Sequence, residues 1–417
     1  MAEKRYVIAG NGPAGLNAAQ GLRAKDSQSK ILLIGQESTL PYSPTVLPYF
    51  VSGKIKGGDL FLSKKEYFKN QNIELILGNG VVSVSPQEGR VFLKDGSFLH
   101  YDALILAQGG SPIVPDIPGL RELNLLVLRT LADAKRLRSK GLKASRAIVL
   151  GAGLIGMQTA QSLSEIGLSV QVVELLNQVL PGYFDQRASS IIQKAYESHR
   201  VSLYTSTQVE KVEFKNGNYI LSLKKGKTLN APLLFIATGV APNIDFLKGS
   251  GIEVDKGILV DRKMQTNIPN IFAAGDVVQM DDFLGGGKVN QPILIHAVDQ
   301  GRMAAASALG EEISYAGNIS MNLFHFFGQM AFSIGLVSPD GKDRFKVHQT
   351  HVPSKRRYIK FVFDGDYLVG VMAINTLLDP GILHQLIRRR IPLGKEKKEF
   401  LEKPLEMGRR LMCQNWR

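Results

Sequence analysis

The chain has 417 residues, and at about 150 residues per domain this length suggests two or three domains. With 44% hydrophobic and 21% charged residues the composition is that of a globular protein, which excludes wholesale disorder, and no run approaches the ~20 apolar residues that span a bilayer. Net charge is +14 and Cys413 is the single cysteine, so an internal disulfide, a redox-active cysteine pair and an iron–sulfur site built from this chain alone are all excluded. The start, MAEKRYVIAG, enters a strand pattern by Arg5, which leaves no room for a signal peptide. Together with the lone cysteine this points to a reducing, cytoplasmic setting.

Residues 5–9 (RYVIA) read as a buried strand, 16–24 carry a helical pattern, and 31–34 (ILLI) form a second strand. Between strand and helix lies Gly10-Asn11-Gly12-Pro13-Ala14-Gly15, a GxGxxG turn in its βαβ setting. Gly10 permits the tight turn, Gly12 lets a pyrophosphate approach the backbone, and Gly15 lets the helix pack on the strand. The free N–H groups at the helix start attract the diphosphate. An acid that meets the adenosine ribose is expected about 20 residues after the last glycine. Gln36 and Glu37 stand 21 and 22 residues past Gly15, and both remain candidates.

The same unit recurs. Strand 146–150 (RAIVL) leads into Gly151-Ala152-Gly153-Leu154-Ile155-Gly156, a helical pattern and a strand over 169–173 that ends at Glu174, 18 residues past Gly156. A carboxylate there accepts from both ribose hydroxyls and repels a 2′-phosphate, which favours NAD(H) over NADP(H). The two turns begin 141 residues apart, so one chain carries two dinucleotide-binding units.

With this pair the sequence resembles the pyridine nucleotide oxidoreductase superfamily, the two-dinucleotide-binding flavoproteins. Three further segments fit: 104–109 (LILAQG, with Gln108 where the family has Thr), 234–239 (LFIATG), and 257–277 (GILVDRKMQTNIPNIFAAGDV). Asp299-Gln300-Gly301-Arg302 resembles the helix start beneath the flavin ring. The resemblance covers about residues 5–310 and implies an α/β fold. Two Rossmann-like domains are followed by a C-terminal α+β interface domain. The expected organisation is FAD-binding over 1–115, NAD-binding over 116–243, FAD-binding again over 244–317, and the interface domain with a basic tail over 318–417. FAD is expected at Gly10, Gly12, Pro13, Ala14, Gly15, Gln36 or Glu37, Thr45, Val82, Ala107, Gly109, Gly275 and Asp276. NAD is expected at Gly151, Gly153, Leu154, Ile155, Gly156, Glu174 and Gly239.

Without an early cysteine the chain is unlike the disulfide reductases, NADH oxidases and coenzyme A disulfide reductases. It is similar instead to the ferredoxin and rubredoxin reductases and the apoptosis-inducing flavoprotein, which share Leu40-Pro41-Tyr42. Where that branch continues Arg-Pro-Pro-Leu-Ser-Lys, this chain has Pro44 and Tyr49 at the arginine and lysine positions, and Gln158 replaces the glutamate that pairs with the lysine. Both partners of the ion pair are absent together, as the cost of an uncompensated buried charge requires. A neutral Tyr49–Gln158 contact is the expected substitute. Segments 40–54 and 321–335 further resemble the FAD-containing, NAD-linked subunits of multi-subunit oxidoreductases, such as those for phenylglyoxylate and for aldehydes.

Past residue 318 the apolar stretches 331–337, 358–363 and 367–374, separated by turn signals at Pro339-Asp340-Gly341 and Asp364-Gly365-Asp366, read as antiparallel strands; 382–389 reads as a helix. Phe324, Phe326 and Phe327 are expected in the core. No histidine pair has metal-ligand spacing, so no metal is expected. Tyr49, Gln158 and His296 are the flavin-adjacent candidates, with no certain catalytic residue among them. Residues 388–417 hold ten Lys or Arg against four Glu, which suits an acidic electron-transfer partner. The expected function is electron transfer between NAD(H) and a separate iron–sulfur protein or subunit, within a hetero-oligomeric complex. The alternatives are a stand-alone NADH oxidase or diaphorase, and a flavin-bearing partner- or nucleic-acid-binding protein; no nucleic-acid module is recognised.

Overall fold

The computed structural model describes residues 4–224, 226–339 and 344–415. The chain divides into two compact units, residues 1–113, 129–134 and 240–318 in one, and 114–128, 135–239 and 319–417 in the other. Among the described residues no helix is long and apolar enough to cross a membrane, and no cluster of His, Cys, Asp or Glu could hold a metal ion.

The first unit is built on a five-stranded parallel sheet in the order Ile271–Ala273, Ala103–Leu106, Arg5–Ala9, Lys30–Gly35, Ile73–Leu77. These strands are near-continuous apolar runs because helices cover both faces of a parallel sheet. Arg5–Ala9 is the switch point: the chain leaves it first toward Lys30–Gly35 and later returns on the other side through Ala103–Leu106. Ligands of such sheets bind outside the carboxyl ends of the strands at that point. The helix Pro13–Lys25 packs against Leu294–Ala308, and small residues allow the close approach: a Cβ on Gly301 would lie 2.2 Å from the Ala14 carbonyl oxygen.

The second unit repeats the plan with four parallel strands in the order Val201–Tyr204, Ser169–Val173, Arg146–Leu150, Leu234–Ile236. It also contains a five-stranded antiparallel sheet in the order Met321–Phe326, Gln329–Gly335, Tyr367–Ile374, Arg357–Asp364, Phe345–Val352. Two of these strands, Met321–Phe326 and Phe345–Val352, were not expected from sequence. Phe324 and Phe326 alternate onto the buried face, and Tyr196 of the helix Gln186–Glu197 stacks against both. Asp185 caps that helix by accepting from Ala188 N–H at 3.0 Å. Its other oxygen accepts from Tyr358 Oη at 2.7 Å and Lys360 Nζ at 3.2 Å, which pins the antiparallel sheet to the helix. The turn expected at residues 339–341 includes residues 340 and 341, which lie outside the described residues. Helices Pro380–Arg388, Lys397–Glu402 and Pro404–Gln414 close the chain.

Candidate nucleotide-binding sites

In the first unit the strand Arg5–Ala9 ends at Gly10 and the helix Pro13–Lys25 begins three residues later, with Gly12 as its N-cap. Gly10 and Gly15 are required by the fold itself: a Cβ on Gly10 would lie 2.1 Å from the Ala107 carbonyl oxygen, and one on Gly15 1.8 Å from that of Gly10. Gly12 is different. Its φ is an ordinary −72° and a Cβ there would meet nothing within 4 Å. No side chain caps this helix start, so its first N–H groups remain to be satisfied from outside. An open glycine in front of uncapped N–H donors is the cradle that a diphosphate fills.

The residues around this turn fit FAD. Ala107 follows the end of the neighbouring strand, its N–H bonded to the Ala9 carbonyl at 2.7 Å. Gln108, in the position of the family's threonine, is long enough to cross to Val81, whose carbonyl accepts from its Nε2 at 2.8 Å; its Oε1 is buried with no partner among the described residues. Val82 lies at a bulge, because the pairing runs Val81 with Leu93 and then Ser83 with Phe92. The ladder thus skips the backbone of Val82, and the residue is 49% exposed. Thr45 sits on the short turn Pro44–Val46, its hydroxyl 2.8 Å from that of Ser43.

Gly275 and Asp276 reach the same region. A Cβ on Gly275 would lie 2.9 Å from that of Ala14, and the Gly275 N–H donates to Gln300 Oε1 at 2.8 Å. Asp276 pairs with Arg129 at 2.9 Å, both partly buried. Arg129 passes over Gly109, where a Cβ would lie 2.7 Å from its Nη2. Sequence reasoning missed this arginine. It neutralises the Asp276 carboxylate and fixes its direction at the first site. Of the two acid-position candidates, Glu37 accepts from Tyr42 Oη at 2.6 Å and from Leu131 N–H at 3.3 Å. Gln36 is exposed.

Two of the flavin-adjacent candidates also lie in this unit. Tyr49 is on the short helix Leu47–Ser52. His296 is the third residue of the helix Leu294–Ala308 and is buried. That helix starts five residues before Asp299, so Gln300 and Gly301 lie in its middle rather than at its start. Burial pushes the nearby Asp282 carboxyl above its usual range, opposed by the Leu284 N–H, the Gln291 amide and the charge of His296.

The second unit holds a matching cradle. A Cβ on Gly151 would lie 2.3 Å from the Ala237 carbonyl oxygen and one on Gly156 2.1 Å from that of Gly151. Gly153, the N-cap of the helix Leu154–Glu165, again faces open space with φ −73° and no side-chain cap. Leu154 and Ile155 form the first turn of this helix and Gln158 follows on it, partly buried. Gly239 lies just past the strand Leu234–Ile236. Glu174 is held on both oxygens, by Ala152 N–H at 2.7 Å and Leu176 N–H at 2.9 Å. Each oxygen keeps a further lone pair, enough for the two hydroxyls of a ribose. Leu175 and Leu176 are exposed beside it, an apolar shelf of the kind an adenine ring covers.

Comparison with known proteins agrees with this geometry. A family model described as "Pyridine nucleotide-disulphide oxidoreductase" matches residues 4–306. The NADH-dependent phenylglyoxylate dehydrogenase subunit epsilon of Aromatoleum evansii is 38% identical over 417 residues, 99% of this chain and 98% of that one. An NADH oxidase of Methanocaldococcus jannaschii is 34% identical over 322 residues, 75% of this chain and 71% of that one. Among solved structures, the covalent putidaredoxin reductase–putidaredoxin complex matches with a TM-score of 0.85 and 26% identity, over 94% of each chain.

Proposed function

Since the chain belongs to the pyridine nucleotide-disulphide oxidoreductase family, an oxidoreductase family that binds FAD and NAD(H), we propose that it passes electrons between NAD(H) and a separate iron–sulfur protein or subunit. The observation that carries this reading is the pair of open glycine cradles in a chain whose single cysteine permits no internal disulfide. The 38% identity to a dehydrogenase subunit supports a place in a hetero-oligomeric complex, and the solved reductase–putidaredoxin complex supports an iron–sulfur partner. A net charge of +14 supports an acidic one. The reading includes a cytoplasmic setting, supported by the scarcity of cysteine.

FAD would supply the chemistry that links a two-electron nicotinamide carrier to a one-electron iron–sulfur centre. The chain's own task is binding and alignment. Gly10 makes the tight turn and Pro13 opens the helix, Gly12, Ala14 and Gly15 present N–H groups for the FAD diphosphate, and Arg129 holds Asp276 beside it. Thr45, Val82, Ala107, Gly109 and Gly275 shape the walls. Gly151, Gly153, Leu154, Ile155, Gly156 and Gly239 do the same for NAD, with Glu174 as ribose acceptor. No protein nucleophile is needed, so Tyr49, Gln158 and His296 serve to position the rings.

Glu174→Gln keeps the shape of the side chain and removes its charge. Charge-assisted hydrogen bonds contribute about 1.5–3 kcal/mol each, so KM for NADH rises about tenfold or more and the preference over NADPH narrows, while flavin content is unchanged. Steady-state kinetics with both nucleotides checks this; an unaltered KM removes Glu174 from the site.

The partner is tested by supplying NADH anaerobically with either an acidic plant-type ferredoxin or menadione, an uncharged quinone. The expected result is reduction of both, with only the ferredoxin rate falling steeply, about tenfold, between low and high salt. Rapid turnover with oxygen and none with ferredoxin would instead favour an NADH oxidase, the activity named for the 34% identical relative.

A further inference from the structure

Tyr42 lies where three segments of the first unit meet. Its hydroxyl donates to Glu37 Oε1 at 2.6 Å and accepts from Leu131 N–H at 2.8 Å, and that N–H also lies 3.3 Å from Glu37 Oε2. Leu131 opens the helix Leu131–Gly141. A capping box forms this start: Asp133 N–H donates to Thr130 Oγ1 at 3.1 Å and Thr130 N–H to Asp133 Oδ2 at 2.9 Å. The N–H of Leu131 is one of the orphan donors of that helix, and the phenol and the carboxylate satisfy it. Two residues earlier, Arg129 Nη2 donates to Asp276 Oδ2 at 2.9 Å. The Tyr42 ring is buried, and burial, then the bond to Glu37, push its pKa far up, so the hydroxyl remains a donor through neutral and alkaline pH.

The consequence for Glu37 is geometric. One donor fixes each of its oxygens, and each keeps a lone pair for a further donor. A vicinal diol can take both with no side-chain freedom left to lose. Gln36 is exposed and makes no hydrogen bond among the described residues, so binding through it costs rotamer entropy. We propose that Tyr42 is a positioning residue for FAD, holding Glu37 as the acceptor for the adenosine ribose hydroxyls and, through Leu131, the segment that carries Arg129. This rests on the FAD reading above and selects Glu37 over Gln36.

The test compares the apoprotein's affinity for FAD with that for the FAD analogue whose adenosine ribose lacks both hydroxyls. Wild type is expected to prefer FAD about tenfold or more, the size of one or two hydrogen bonds to a charged acceptor. Tyr42→Phe keeps the ring and its packing, and is expected to bind the two flavins almost equally. Glu37→Gln erases the same preference, and the double variant loses no more than either single one. If Tyr42→Phe weakens both flavins alike and keeps the preference, the hydroxyl serves only the helix start and the proposal is overturned. A wild type with no preference also overturns it, while leaving the FAD reading intact. A wild type that binds neither flavin overturns the FAD reading itself, and the proposal with it.

Discussion

Gly12→Val is expected to yield a folded protein without bound flavin. The valine Cβ meets no protein atom within 4 Å and the backbone is in an ordinary extended conformation. The fold therefore has no need of glycine at this position. On the proposed reading its need comes from the ligand: branched carbons there would stand in the path of the diphosphate toward the helix N–H groups. Losing two charge-assisted hydrogen bonds at ~1.5 kcal/mol or more each lowers FAD affinity ~100-fold or further. Absorbance of the purified variant reads the flavin content. Circular dichroism against wild-type apoprotein shows that the fold survives; the apoprotein is the proper reference because bound FAD itself adds stability. Gly15→Val is the contrasting control, since its Cβ would lie 1.8 Å from a backbone oxygen and the helix cannot seat. A Gly12→Val protein with full flavin would show that nothing binds at this turn.

Gly153→Val is expected to separate the two nucleotides. The same open space lies over Gly153, so the variant keeps its fold. The second cradle is closed while the first is untouched, so the protein stays yellow. Reduction by NADH at ordinary concentrations is lost, with an apparent KM raised ~100-fold by the same two hydrogen bonds, whereas dithionite still reduces the flavin. Stopped-flow reduction under nitrogen measures this. Loss of flavin together with NADH reactivity would mean that the two turns do not serve different ligands.

Much of this was legible from local pattern. A GxGxxG turn is a contiguous signal, and its two glycine classes, those whose Cβ would strike the backbone and the one that faces open space, follow from the geometry of a strand-to-helix corner. Arg129 was not legible, because its partner Asp276 lies 147 residues away and only tertiary structure joins them. Tyr42 stands in the Leu-Pro-Tyr motif, but its bond to Leu131 crosses 89 residues and shows only in the fold. Resemblance places a helix start at Asp299–Arg302, but the helix begins at Leu294, and its N-cap Ile293 is an apolar residue that carries no capping signal. The strand Phe345–Val352 escaped for another reason. It is an edge strand exposed along most of its length, so FKVHQTHV lacks the alternation that marks a half-buried strand.

Anaerobic titration of the purified protein with NADH tests most directly whether two dinucleotides serve one redox reaction. A yellow protein carrying stoichiometric FAD, bleached by equimolar NADH and resistant to NADPH at the same concentration, is the expected result. A colourless protein that takes up neither FAD nor NADH on reconstitution would contradict it.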